Sequence, residues 1–253
     1  MILVLAGTKD GRDLADSLVS TGLKVMVSVV SGYGKELITN NEITINARPL
    51  NAEQLVSIIT DHDIKAIVDA THPYAVNVSQ NAMDVSRTLG LKYIRYERPV
   101  ISLPKYHKLE LVNDYEAAAK KAAITGHVVF LTTGSRMLST FKNEPALKNH
   151  RLIARVLPDP IVIKECFDLG FNPRDIIAMQ GPFSHDLNLM LFREFKADVV
   201  VTKNSGKLGG SDTKVSAAIE LGLPIIIIDR PKIQYSEVVY NCHDVIRSLT
   251  EVI

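Results

Sequence analysis

Tryptophan is absent and there are only eight tyrosines in 253 residues. The chain therefore has no aromatic platform on which the bases of a single-stranded nucleic acid could stack. Cysteine is nearly absent as well: Cys166 and Cys242 stand 76 positions apart, with no second cysteine near either. That excludes a zinc ribbon, a CxxC redox pair and a disulfide framework, and leaves core thiols of a reducing compartment. Charge of one sign is not in excess. Lys and Arg total 29 against 28 Asp and Glu; residues 1–111 carry 12 of each kind, and the remainder 17 and 16. Neither part has the basic footprint that nucleic acid or an anionic membrane surface requires. No apolar run approaches the ~18 residues of a membrane span. The opening Ile2-Leu3-Val4-Leu5-Ala6 has no basic segment before it and runs straight into Gly7. It reads as a strand and not as a signal peptide, and a cytoplasmic location is expected. There is no GxSxG elbow, no HExxH and no carboxylate cluster with hard-metal spacing, so no metal site is expected. Ser184-His185-Asp186 has the letters of a triad, but consecutive helical residues point about 100° apart and cannot relay a proton.

What is present is 46% hydrophobic and 23% charged residues, enough for packed cores and too apolar for a disordered chain. The apolar residues alternate between short solid runs, rich in β-branched side chains, and stripes of helical period. Such solid runs are parallel strands covered by helices on both faces. Strands are expected near 2–6, 24–30, 42–46, 66–70 and 92–96, then near 127–132, 152–157, 175–179, 197–202 and 224–229. Helices are expected near 12–20, 51–61, 75–89, 114–123, 161–168, 184–195, 213–221 and 243–252. This alternation, interrupted once, describes an α/β chain of two doubly wound Rossmann-like domains with parallel sheets and a ligand cleft between them. The interruption, Glu97–Leu111, holds Pro99 and Pro104 and no helical period. It reads as a hinge, which divides the chain into a domain at 1–98, a hinge at 99–111 and a domain at 112–253.

In open α/β sheets ligands collect at the carboxyl ends of the strands. After the first strand comes Gly7-Thr8-Lys9-Asp10-Gly11-Arg12. Its glycines let the backbone turn and approach a ligand, and the helix that follows offers free N–H groups to a pyrophosphate. A side chain at Gly11 is expected to weaken dinucleotide binding more than it disturbs the fold. The second strand ends at Ser31-Gly32-Tyr33-Gly34-Lys35, which lacks the GK[ST] ending of a Walker loop. Where an NAD site places an acid for the ribose 2′-hydroxyl, Ser31 stands instead, so a 2′-phosphate is tolerated.

The fourth strand runs into Asp69-Ala70-Thr71-His72-Pro73-Tyr74-Ala75. Thr71 is expected to cap the next helix and Pro73 to sit in its first turn. That leaves His72 and Tyr74 without a structural duty, aimed at a ligand. The fifth ends Arg95-Tyr96-Glu97-Arg98, where two guanidinium groups face a carboxylate-bearing ligand or pair with Glu97. In the second half, Thr133-Gly134-Ser135 forms a small hydroxyl-rich turn. Thr202-Lys203-Asn204-Ser205-Gly206-Lys207-Leu208-Gly209-Gly210 is the most ligand-like loop of the chain, its bland alternative being a solvated flexible segment.

These motifs together carry a family resemblance. Gly7-Thr8 with Gly11-Arg12, Asp69 to Ala75, Arg95-Tyr96-Glu97-Arg98-Pro99, Gln180-Gly181-Pro182-Phe183-Ser184, and Thr202 to Gly206 with Lys214 and Asp229-Arg230-Pro231 run in order along the chain. The set resembles the precorrin-6A reductases, a family that includes the cobalt-precorrin-6A reductases of the anaerobic route to vitamin B12. The resemblance implies reduction by NADPH or NADH of one macrocycle double bond, giving precorrin-6B or its cobalt form, in cobalamin biosynthesis. It implies cofactor binding by Gly7, Thr8, Gly11, Arg12, Ser31, Gly32 and Thr71. Substrate binding falls to Arg95, Arg98, Thr133, Gly134, Ser135, Lys203, Ser205, Gly206 and Lys214. His72 and Tyr74 orient the ring or supply a proton. The partner is then a small tetrapyrrole, with no nucleic acid, membrane or obligate protein partner. Two rivals remain open on the residues alone: a two-domain nucleotide-sugar glycosyltransferase, and a cleft-closing sensor without chemistry.

Overall fold

The solid apolar runs are strands. The computed structural model describes residues 1–30, 32–97, 102–206 and 211–250, with only the backbone of Ser211. Its first unit, Met1–Pro99 with Lys232–Ile253, begins β1 (Ile2–Leu5), α1 (Lys9–Ser20), β2 (Val25–Ser28), α2 (Gly32–Glu36) and β3 (Thr44–Asn46). It continues with α3 (Ala52–Asp61), β4 (Ala66–Asp69), α4 (Val76–Leu89) and β5 (Lys92–Tyr96). The second unit, Val100–Pro231, holds β6 (Leu109–Val112), α5 (Tyr115–Thr125), β7 (Val128–Leu131), α6 (Leu138–Asn143), β8 (Arg151–Val156) and α7 (Pro160–Asp168). After these come β9 (Ile176–Ala178), α8 (His185–Glu194), β10 (Val199–Lys203), α9 (Ser211–Glu220) and β11 (Ile225–Ile228). The chain ends with β12 (Val238–Val239) and α10 (Cys242–Thr250).

Every residue of β1, β4 and β11 is buried, as strands covered on both faces must be. Helices start and stop where short-range chemistry directs. Thr8 caps α1 by accepting from Gly11 N, Asn51 and Gln54 form a capping box on α3, and Gly90 at φ +66° ends α4. Leu14, Ala15 and Leu18 present the buried stripe of α1 to Ile2, Val4 and Val27.

Both sheets are six-stranded, ordered β12-β5-β4-β1-β2-β3 and β6-β11-β10-β7-β8-β9, and every strand pair is parallel. Each reproduces the 3-2-1-4-5-6 order of a dinucleotide-binding sheet. The sixth positions are exchanged along the chain, however. β6 sits beside β11 in the second sheet, and β12 sits beside β5 in the first.

That exchange corrects the expected division of the chain. Residues 99–111 are not only a connection: Leu109 pairs with Ile225 in β6, and Tyr106 OH donates to Leu223 O at 3.1 Å. Leu109–Val112 carries no solid apolar run because it is an edge strand with a half-exposed pattern. Nor does 112–253 form one domain. Arg95 N donates to Glu237 O at 2.9 Å and Glu97 N to Val239 O at 2.8 Å, which ties β12 to β5. Val245 and Leu249 of α10 then enter the first core. A two-residue strand has no readable period, so nothing local announces that the chain returns.

Candidate functional site

In each sheet the strand order reverses at one point, between β1 and β4 in the first and between β7 and β10 in the second. Ligands enter such sheets at these points. At the first, a Cβ on Gly7 would meet nothing within 4 Å, whereas one on Gly11 would lie 2.9 Å from Ala6 Cβ, 3.0 Å from Ala6 Cα and 3.2 Å from Ala70 Cβ. Gly11 is therefore a packing glycine that seats α1 on the strand ends, and Gly7 is the open backbone of the turn. The expectation that a side chain at Gly11 spares the fold is corrected: the obstacle is backbone. Thr8 Oγ1 accepts from Gly11 N at 3.3 Å and donates to Ala70 O at 3.4 Å, joining the ends of β1 and β4. Arg12 is half-buried one residue further along α1, and Gly32 is exposed at the start of α2. Ser31 and Arg98 lie outside the described residues.

The end of β4 is organised by a buried ion pair. Asp69 Oδ1 receives Arg95 Nη1 at 2.9 Å, Thr71 Oγ1 at 2.7 Å and Thr71 N at 3.0 Å. Its Oδ2 receives Tyr93 OH at 2.6 Å. Burial alone would raise the Asp69 carboxyl, but Arg95 and the bonds from Ser79, Tyr93 and Thr71 hold it below its usual range. Arg95 is 1% exposed. Nη1 also donates to Thr71 Oγ1 at 3.0 Å, Nε donates to Glu97 Oε2 at 2.8 Å and Nη2 to Thr71 O at 3.1 Å, and the centre of the Tyr235 ring lies 5.2 Å from its carbon. This guanidinium is directed inward: of its two expected partners it meets Glu97, and its place among the substrate-binding residues is corrected by its burial. Thr71 is likewise no cap: α4 begins after Ala75 without a side-chain cap, and Thr71 is clamped by Asp69 and Arg95 instead. The clamp leads directly to His72 and Tyr74. His72 Nδ1 accepts Tyr74 N at 3.3 Å, and the two rings lie 5.4 Å apart at 44°. With Nδ1 an acceptor, the neutral imidazole carries its proton on Nε2.

At the second reversal, Leu131 of β7 is level with Ala154 of β8 and Val201 of β10. One and two residues further on, Arg155 and Lys203 flank Thr132 and Thr133. Thr132 Oγ1 donates to Val201 O at 3.0 Å, and Gly134 turns the chain at φ +80°, where glycine is at ease. Ser135 O accepts from Leu138 N at 3.0 Å, which starts α6. Ser205 N donates to Lys203 O at 2.9 Å, and Gly206 takes φ +82°. Arg230 Nε donates to Asn204 O at 2.9 Å, holding this loop from the end of β11.

Lys214 is 8% exposed on α9. Burial, Arg155 and Lys203 together lower its pKa to about 7 against the opposing effect of Asp212. Burial, with Arg136 nearby, lowers that of Lys203 to about 8. Arg155 is 5% exposed, and burial lowers its pKa to about 10. The expected Lys203 and Lys214 are thus brought together with Arg155, a strand-end residue to which the sequence reading assigns no ligand. Its signal was available: a charge within the buried apolar run Leu152-Ile153-Ala154-Arg155-Val156, as Asp69 and Arg95 are within theirs.

The dismissed triad letters are accounted for otherwise. Ser184 caps α8, and His185 reaches Asp186 at 3.2 Å and Glu220 at 3.3 Å. Among the described residues no cluster of His, Cys, Asp or Glu could hold a metal ion, and no helix is long and apolar enough to cross a membrane.

Comparison with known proteins agrees with this architecture. Residues 1–250 match the family model "Precorrin-6x reductase CbiJ/CobK". A cobalt-precorrin-6A reductase of Priestia megaterium is 40% identical over 98% of both chains. One from Salmonella typhimurium is 36% identical over 91% of this chain and 87% of its own. A precorrin-6A reductase of Rhodococcus erythropolis is 31% identical over 91% and 89%. The solved structure of a precorrin-6A reductase superposes with a TM-score of 0.82 at 26% identity, covering 99% of this chain and 96% of that one. With two parallel six-stranded sheets, the glycine turn and the Asp69–Tyr74 strand end in place, the chain belongs to the precorrin-6x reductase family and is an oxidoreductase acting on a CH–CH group.

Proposed function

We propose that the protein uses NADPH or NADH to reduce one macrocycle double bond of cobalt-precorrin-6A, or of precorrin-6A, yielding the corresponding precorrin-6B in cobalamin biosynthesis. The reading is carried by the turn after β1. A Cβ on Gly11 would stand 3.0 Å from Ala6 Cα, so it is the missing side chain that lets the first turn of α1 close up on the strand end beside the open Gly7. That is a cradle for a pyrophosphate: backbone N–H groups, the positive end of a helix, and no side chain in the way. The dinucleotide fits there, held by Gly7, Thr8 and the first turn of α1 with Arg12; Ser31, Gly32 and Thr71 are the further candidates around it. When bound, it supplies a hydride.

The chain's own residues bind, orient and exclude water. His72 and Tyr74, on a loop fixed by Asp69 and Arg95, orient the ring at the first sheet. The conjugated macrocycle delocalises incoming charge and weakens the need for a positioned acid. Thr133, Gly134, Ser135, Lys203, Ser205, Gly206 and Lys214 contact the substrate. Relatives named cobalt-precorrin-6A reductase run from 31% to 40% identity and those named precorrin-6A reductase from 31% to 32%; the 40% relative is the support for the cobalt-bound substrate.

Loss of nicotinamide absorbance, followed with each substrate and each dinucleotide, tests the proposal. Reduction of cobalt-precorrin-6A with consumption of one nucleotide per macrocycle is expected. No oxidation with either substrate and either nucleotide would overturn it. In single-turnover runs, His72→Ala and Tyr74→Phe should lose less than the ~10²-fold of a missing general acid and should keep the shape of the pH profile. A variant that loses one limb of that profile is the proton donor instead.

A further inference from the structure

Arg155 is the least explained charge in the second unit. It is 5% exposed, yet it makes one hydrogen bond among the described residues, from Nη1 to Asn188 Oδ1 at 2.8 Å. Asn188 is itself held in place, donating to Ser184 O at 2.8 Å and to Thr213 Oγ1 at 3.4 Å. The guanidinium carbon lies 4.1 Å from the centre of the Phe183 ring and 6.0 Å from that of Phe130. The group is thereby locked in one plane, with Nε and Nη2 making no hydrogen bond to described residues. No carboxylate of a described residue reaches it, and burial is the cause of its lowered pKa. A buried guanidinium left in this state costs free energy that the fold alone does not return.

A second observation points to the same place. Thr133 is 4% exposed and its Oγ1 is buried without a hydrogen-bond partner. It follows β7, the strand between β8 and β10, so it stands between Arg155 and Lys203 along the strand ends. Lys214 is close enough to both Arg155 and Lys203 to be repelled by them, Asp212 being the carboxylate that offsets it, and Lys203 is repelled by Arg136. Cationic donors and an unsatisfied hydroxyl therefore converge where the strand order reverses.

We infer that Arg155, with Lys214, Lys203 and Thr133, forms a built site for the oxyanions of a bound ligand at the second reversal point. The planar guanidinium, fixed by Phe183 and Asn188, offers Nε and Nη2 as a fork to one carboxylate or phosphate. The lysines add donors to a second oxyanion or to the same one. The site deepens the proposed function, since a substrate carrying several carboxylates and a cofactor carrying phosphates are its two chemical sources. Arg155 is assigned as a binding residue.

The sources separate in titrations of the full-length protein with three probes: uroporphyrin as a polycarboxylate tetrapyrrole, NADPH, and inorganic phosphate. The variants are Arg155→Gln, which retains an amide donor toward Asn188, and Lys214→Met, which retains the stem. Each should weaken the site's ligand by about tenfold or more. Loss confined to uroporphyrin supports a carboxylate site, and loss of NADPH and phosphate supports a phosphate site. Thermal unfolding of the free variants guards against misfolding: neither should fall in Tm, because each loses a charge that burial penalises. A wild-type protein that binds none of the probes, or folded variants matching wild type for all three, would overturn the site. The proposed function fails separately: absence of nicotinamide oxidation with probe binding still sensitive to Arg155 overturns the reaction and leaves the site standing.

Discussion

At the end of β4 the first sheet buries a carboxylate and a guanidinium 2.9 Å apart. At the ends of β8 and β10 the second sheet collects Arg155, Lys203 and Lys214, with Asp212 as the counter-charge acting on Lys214. Both places lie at strand ends beside the point where the strand order reverses, and they treat charge differently. In the first, each ion answers the other and Thr71 and Tyr93 take up remaining donors and acceptors, so the charges serve the shape of the loop that carries His72. In the second, burial holds the pKa of Arg155 below its usual value, and its one hydrogen bond among the described residues goes to a neutral amide. Buried charge that is paired is structural, whereas Arg155 keeps Nε and Nη2 without a hydrogen bond to described residues, which is the ground on which a ligand is proposed there.

The comparison breaks most severely at Asp69. Asp69→Ala leaves Arg95 buried with Glu97 as its remaining acid, removes the acceptor of the Tyr93 hydroxyl and frees Thr71. Loss of one partner of a buried pair costs about 3–5 kcal/mol, and urea unfolding should show it. If the variant unfolds at the wild-type midpoint, the pair is not structural and the contrast between the sheets disappears.

Gly11→Val tests whether the first reversal point is as rigid as its neighbours suggest. Its Cβ would stand 3.0 Å from Ala6 Cα, a backbone atom that cannot swing aside, so a loss of roughly 1–3 kcal/mol is expected from overpacking. Gly7→Ala, with open space around its Cβ, should leave unfolding unchanged and weaken dinucleotide binding instead. Equal stability of the two variants would remove the distinction between a packing and a binding glycine.

That distinction also marks what sequence could reveal. The buried strands were legible because Ile225–Ile228 or Val199–Val201 admits one reading, and the loops were legible because glycine, hydroxyl and base cluster after each run. A pair of equivalent glycines was visible; which one packs and which one opens depends on the distance to Ala6. Arg95 could be read as facing a ligand or Glu97, and only the placement of β4 beside β5 brings Asp69 to it. β12 was invisible because two valines carry no period and their partner lies in β5, more than a hundred residues earlier. Local chemistry is written locally, whereas partnership across a sheet is not.

Acidity offers a sharper probe of the cluster of Arg155, Lys203 and Lys214. Lys214 falls to about 7 in the folded chain from an ordinary 10.5, so between those values the unfolded chain holds more protons than the folded one. Stability of the free protein should therefore rise with pH from about 7 to about 10, with Lys203 adding to the slope above about 8. Lys214→Met should flatten the rise and stabilise the protein at pH 7, by on the order of 2 kcal/mol. Anion binding has the opposite sign, since it requires the charged lysine, and should weaken across the same range. A flat stability profile between pH 7 and 10 would show that the cluster is already neutralised.

The smallest effect belongs to Tyr235, the side chain through which the returning segment touches the first reversal point. Its ring lies 5.2 Å from the Arg95 carbon and stacks at 14° with Tyr93, 6.5 Å away. Tyr235→Leu retains apolar volume and removes the π-face over the cation, for which about 0.5–1 kcal/mol is the ordinary loss at a site still in contact with solvent. Asp69 and Arg95 remain paired in this variant, so the fold should persist and the change should appear as looser placement of Thr71 and the His72 loop. Two readouts separate that from a general weakening: turnover of the reductase should fall by less than about tenfold, and probe binding at Arg155 should not move at all. A change at Arg155 would mean that the two reversal points are coupled. With both readouts unchanged, the paired charges hold the His72 loop without the returning segment, and β12 with α10 serves only to close the first sheet.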